Sequence, residues 1–134
     1  MPEPSGGSVP VPPGVSLDFY IHANAFYEGL EQRRFNTLET FKDPLLSEQF
    51  RTDNQYADYY ADLADGLEFA HFDRNRPHSV TIQGFIFETR TLTHVQVIFV
   101  GDDDRPMRPN KTSLMRLDRW EYIDGRWWIA PEKL

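Results

Sequence analysis

Arg116 and Asp118 stand two residues apart in a stretch, residues 114–131 (LMRLDRWEYIDGRWWIAP), that is dense in strand-forming aromatic and aliphatic side chains. Side chains two apart on a strand project from one face, so a cation and an anion stand together there. Inside an apolar pocket such a pair suits two kinds of chemistry. The guanidinium could hold a carboxylate-bearing ligand, and the carboxylate could activate a water or take a proton. Burial favours the protonated form of an acid and a neighbouring guanidinium the ionised form, so the surroundings decide between these roles. The same spacing also suits a structural ion pair at a pocket rim.

The four histidines, His22, His71, His78 and His94, lack metal-ligand spacing such as His-x-x-x-His, and none sits in a nucleophile motif. His22 shares a helical stripe with Phe19 and Phe26, and His94 is central in a strand. Either could enter a pocket as acid, base or hydrogen-bond donor, or serve as a hydrogen-bonded structural residue. Asp102, Asp103 and Asp104 form a carboxylate cluster without the alternating ligands of a calcium loop, which reads as a solvated hairpin. Asp58, Asp62 and Asp65 form an acidic helical stripe, either a wet face or a dock for a basic partner. Asn110-Lys111-Thr112 fits the glycosylation acceptor pattern, meaningful only on a eukaryotic secretory route. There is no glycine-rich phosphate loop, and no cofactor is expected.

These side chains need a frame. Asp124-Gly125 is a strong two-residue turn signal, and a hairpin closed there sets Tyr122 opposite Trp127, Trp120 opposite Ile129 and Asp118 opposite Pro131. One face then carries Arg116, Asp118, Trp120, Tyr122 and Trp127, and the other carries Met115, Leu117, Ile123 and Trp128. Upstream, strands are expected over residues 80–88, 91–100, 111–123 and 126–130. Three helices precede them. The first runs over residues 16–32 with Ser16 as N-cap, one stripe of Leu17, Ile21 and Ala25, and a neighbouring stripe of Phe19, Phe26 and Leu30. The second begins at Asp43-Pro44 and ends near Phe50. The third begins at Thr52, with Gln55 completing a capping box, and carries Tyr56, Tyr60, Leu63 and Leu67 to about Ala70. Helices first and a meandering antiparallel sheet afterwards is an α+β pattern. The candidate pocket lining is Tyr20, His22, Phe26, Tyr56, Tyr60, His94, Trp120, Tyr122 and Trp127.

The chain has 134 residues, enough for one domain with its own core. Fourteen basic against 21 acidic side chains give a net charge of −7, which argues against general affinity for nucleic acid or anionic membrane. Without cysteine, disulfides and thiol chemistry are excluded. No apolar run approaches a membrane span of about 18 residues, and the N-terminus does not read as a signal peptide. Residues 1–15 hold five of the ten prolines and three of the eight glycines, a linker composition, so the domain is expected over residues 16–134. A soluble protein follows, cytoplasmic or extracytoplasmic behind a removed signal or anchor.

The helix containing Phe26-Tyr27-Glu28-Gly29-Leu30, the Arg33-Arg34-Phe35 stretch, Asp118-Arg119-Trp120 and the 124–129 hairpin together resemble the nuclear transport factor 2-like superfamily, also described as cystatin-like or SnoaL-like. The resemblance implies a curved sheet wrapped as a cone around a long helix, a central pocket, and homodimers formed through the outer sheet face. It covers isomerases, dehydratases, epoxide hydrolases and non-catalytic members alike. The spacing of Arg116 and Asp118 is similar to the charged centre of the limonene epoxide hydrolase branch, which needs a second carboxylate that is not identifiable here. The ketosteroid isomerase branch needs a tyrosine on the first helix, for which Tyr20 or Tyr27 qualifies, and two pocket acids, for which no pattern can be assigned.

Three readings follow. The first is a non-catalytic domain that binds a small apolar or amphipathic ligand or serves as an accessory module. In the second, the domain is a pocket enzyme with Asp118 as base and Arg116 as its electrostatic partner. The third is an interaction module using the outer sheet face.

Overall fold

The computed structural model describes residues 10–107 and 110–131. Residues 1–9 of the expected linker lie outside that range. The architecture is α+β: helices α1 (Pro13–Leu30), α2 (Leu38–Phe41), α3 (Pro44–Ser47) and α4 (Asp53–Phe69) precede strands β1 (Ser79–Thr89), β2 (Leu92–Asp102), β3 (Lys111–Ile123) and β4 (Arg126–Ile129). The strands form one antiparallel sheet in sequence order.

Helix α1 starts three residues earlier than its sequence signal. Pro12 is extended and Pro13 occupies the first helical position, where a missing N–H costs nothing, so Pro13–Val15 belong to the helix rather than to a tail. Its buried side is Phe19, Ala23, Phe26, Tyr27 and Leu30. The expected stripe through Leu17 and Ile21 is exposed. An apolar face broader than the sheet can cover leaves one edge in water, and here the aromatic edge is the one buried.

Helix α4 begins as its cap signal says, with Thr52 Oγ1 accepting from the Gln55 N–H at 3.1 Å. Only half of the capping box forms, because Gln55 Oε1 has no partner. Two short helices replace the single one expected between α1 and α4: Thr37 caps α2 and Asp43 caps α3.

The C-terminal hairpin forms with Trp120 opposite Ile129 and Tyr122 opposite Trp127. Asp124 and Gly125 both have positive φ, 52° and 86°, which a type I′ turn requires. The ladder extends one residue further as the Ala130 N–H donates to the Arg119 carbonyl. Side-chain alternation then sends Thr112, Leu114, Arg116, Asp118 and Trp120 to the helix side of β3. On β2 the corresponding residues are Thr93, Val95, Val97 and Phe99, all buried. Phe72 closes the far end against Gly101, where an added Cβ would lie 2.7 Å from Phe72 Cδ2 and 2.9 Å from the Arg76 carbonyl oxygen. No helix among the described residues is long and apolar enough to cross a membrane.

Candidate functional site

Among the described residues Asp118 is the one charged residue that is buried; only 3% of its surface is exposed. β3 supplies it through strand parity, directly opposite Val95 of β2. Helix α1 brings Tyr27 and α4 brings Tyr59, and both hydroxyls donate to Asp118 Oδ2 at 2.7 Å. Arg116 Nε reaches Oδ1 at 3.3 Å. Trp120 Nε1 donates to Tyr27 Oη at 3.0 Å, so the Tyr27 hydroxyl gives its proton to Asp118 and accepts one from the indole. Five side chains from three elements thus form one buried polar hub.

Arg116 is the outward link of the hub. Its Nη1 donates to Asp62 Oδ2 at 2.8 Å, and its guanidinium lies 4.7 Å from the centroid of the Tyr59 ring. Burial, followed by the charge of Asp118, pushes the hydroxyls of Tyr27 and Tyr59 well above the usual tyrosine pKa. Phenolate formation beside a buried carboxylate is opposed by both effects, so these groups remain donors. With two hydroxyls on one oxygen and a guanidinium on the other, Asp118 acts as a pure acceptor with little free valence for a reacting proton.

Rings fill the space around the hub. Phe26 packs against Trp120 at 5.8 Å and against Tyr59 at 6.2 Å, and Phe19 packs on Trp120 at 5.9 Å and Trp127 at 4.8 Å, mostly edge to face. His22 stands edge-on to Trp120 at 5.7 Å. Its Nε2 donates to Gln49 Oε1 at 2.9 Å, an oxygen that also accepts from Arg126 Nη2 at 3.1 Å. Burial lowers the His22 pKa against the opposing effect of the Gln49 bond.

The remaining expected lining residues disperse. Tyr56 and Tyr60 turn towards the α2 loop, donating to the Phe41 carbonyl at 2.8 Å and the Thr37 carbonyl at 3.2 Å. Tyr20 is exposed at the β1 edge, stacked on Phe85. His94 is not brought to the hub: it points to the opposite sheet face, where Nε2 meets Glu88 Oε1 at 2.7 Å. Strand parity fixes this, since Thr93 and Val95 on either side face inward. The aspartate cluster is matched to bases, Asp102 with Lys111 and His78, Asp103 with Arg105, and Asp104 with His71. The bonds from Arg105 hold the Asp103 carboxyl well below the usual range.

Tyr59 was the residue that sequence spacing passed over. Positions 56, 59, 63 and 67 follow the 3-4-4 rhythm of one helical stripe, and position 60 lies about 100° further round. All four of those stripe residues are buried, and Tyr60 is not.

Two cavities bear on the site. A groove of about 340 Å³ between α4 and β3 includes Asp62, Gly66 and Arg116. A second cavity, about 330 Å³, lies where the start of α1 meets the β1–β2 turn and the terminal hairpin. Val11, Pro12 and Val15 wall it on one side and Tyr122 and Trp127 on the other, and Asp18, Arg90 and Thr91 supply its polar lining. Asp118 lines neither cavity. Among the described residues no group of three or more histidine and acidic side chains is arranged to hold a metal ion.

No protein-family model, curated protein or solved structure matches this chain.

Proposed function

We propose that this chain is a non-catalytic, small-ligand-binding or accessory domain of nuclear transport factor 2-like architecture, with the ligand seated between Tyr122 and Trp127 of the hairpin and the first turn of α1. The observation carrying this reading is the 330 Å³ cavity there, apolar on two sides and within the size range of ligand pockets, about 300–1,000 Å³. The saturation of Asp118 by Tyr27, Tyr59 and Arg116 supports a structural role for the acid that an enzyme would use as base. An apolar dye such as Nile red is expected to bind the full chain with enhanced fluorescence. Tyr122→Ala, at a side chain already 43% exposed, is expected to weaken binding severalfold with little change in thermal stability. Dye binding indifferent to both Tyr122→Ala and Val15→Arg would place the ligand elsewhere and defeat the reading.

A second reading, homodimerisation through the outer sheet face, is favoured by a specific observation. Met115 and Leu117 are 53% and 70% exposed on neighbouring outward positions of β3, beside Ile98 and Gln96 of β2. An uncovered apolar sheet face of this kind is a common mark of an interaction surface. Light scattering is expected to give twice the chain mass at micromolar concentration, and Leu117→Glu is expected to return it to the single-chain value. A wild-type chain of single mass would refute self-association and leave the face to a different protein.

A further inference from the structure

The cavity that the preceding reading treats as a ligand site has an electrostatic feature that its apolar walls do not explain. Arg90, in the two-residue turn between β1 and β2, and Asp18, on α1, both line it. Among the described residues neither is within ion-pair distance of an opposite charge or engaged in a side-chain hydrogen bond. Elsewhere in the molecule Arg33, Arg105, Arg116 and Lys111 have carboxylate partners. A cation and an anion therefore flank one small apolar space while remaining too far apart to neutralise each other.

The backbone holds both in place. The Tyr122 N–H donates to the Thr91 carbonyl at 2.9 Å, tying the turn that carries Arg90 to β3, and the Thr91 N–H is held by Thr89 Oγ1 at 3.1 Å. Asp18 is one residue before Phe19, whose ring packs on Trp127 at 4.8 Å. The backbone segments that carry the two charges are thus held close to the rings that form the apolar wall.

We propose that the cavity takes a small aromatic zwitterion, an aromatic amino acid, with its carboxylate on Arg90, its ammonium on Asp18 and its ring against Tyr122 and Trp127. The inference rests on the ligand-site reading above and narrows it to a chemical class. A guanidinium offers a carboxylate two parallel N–H donors, and an aspartate accepts from an ammonium, so the two charged groups on the ligand's α-carbon each meet an opposite charge on the cavity lining. At about 330 Å³, the space is large enough for a single aromatic amino acid.

The test uses the full chain and L-phenylalanine, followed by calorimetry and by backbone amide shifts of residues lining the cavity. Two analogues each lack one charge: 3-phenylpropionate has no ammonium and phenethylamine no carboxylate. L-phenylalanine is expected to bind about tenfold more tightly than either, the usual scale for losing one charged hydrogen-bonded contact. Arg90→Gln should remove its advantage over phenethylamine, and Asp18→Asn its advantage over 3-phenylpropionate, while Nile red binding stays unchanged in both variants. If the dye binds but L-phenylalanine does no better than its analogues, the zwitterion assignment is overturned and the ligand-site reading survives. If neither binds at millimolar concentration, both fall.

Discussion

Asp118→Ala is expected to destabilise the chain by about 3–5 kcal/mol, the scale for removing one partner of a buried charge pair. The residues left behind explain the size of the effect. Tyr27 and Tyr59 would each retain a buried hydroxyl without its acceptor, and Arg116 would lose its inner carboxylate. An unsatisfied buried group costs about 1–3 kcal/mol by itself. A typical domain has only about 5–15 kcal/mol of total stability, so the melting temperature should fall by roughly 10 °C or more. A control separates the hub from mere packing. Tyr27→Phe, Tyr59→Phe and Asp118→Leu combined should be less destabilised than Asp118→Ala, since the combination removes both orphaned hydroxyls along with their acceptor, adds only the Trp120 indole N–H as a new unpaired donor, and lets Arg116 keep Asp62. Urea unfolding that places Asp118→Ala within about 1 kcal/mol of the parent chain would show that the hub contributes little.

Stability is also expected to fall steeply as pH rises above about 10. Burial first, and the charge of Asp118 next, push Tyr27 and Tyr59 far above the ordinary tyrosine value, and burial pushes Tyr56 up to about 12. In the unfolded chain these phenols lose their protons near pH 10, and in the folded chain they keep them, so the folded state holds more protons in that window. Their contribution is therefore fully present below about pH 10 and is lost as pH climbs towards the folded values, each group steepening the decline by at most about 1.4 kcal/mol per pH unit. Urea midpoints measured across this range should drop more slowly for Tyr59→Phe than for the parent, even though the variant starts less stable at neutral pH. Parallel slopes for the two proteins would mean that Tyr59 titrates normally in the folded state.

Much of this frame could be read from residue order, for identifiable reasons. Asp-Gly at 124 and 125 is legible because few dipeptides tolerate two consecutive positive φ values, and fixing that turn fixes the parity of Arg116, Asp118 and Trp120. Thr52 and Asp43 act as caps through contacts two or three residues away. What local order could not reveal is which of two adjacent apolar helix stripes meets the sheet. That choice sends Leu17 and Ile21 to solvent and decides between Tyr59 and Tyr60. It depends on the whole assembled sheet, as does the filling of the interior by Phe19 and Phe26 that leaves the hairpin mouth as the open cavity. Asp18 and Arg90 escaped notice for the same reason: isolated charges on exposed positions carry no local signal.

The hub also bears on how the chain must assemble during synthesis. Its bonds to Asp118 cross 91 residues from Tyr27 and 59 from Tyr59, and the Ile129 N–H closes onto the Gln49 carbonyl after nearly the whole chain has appeared. The helices emerge from a ribosome first, yet two of their tyrosines have no carboxylate to meet until the third strand is out, and closing such long loops is slow. Completion therefore waits on the last two strands, and a nascent chain stopped before residue 118 has the helices without the anion that locks them together.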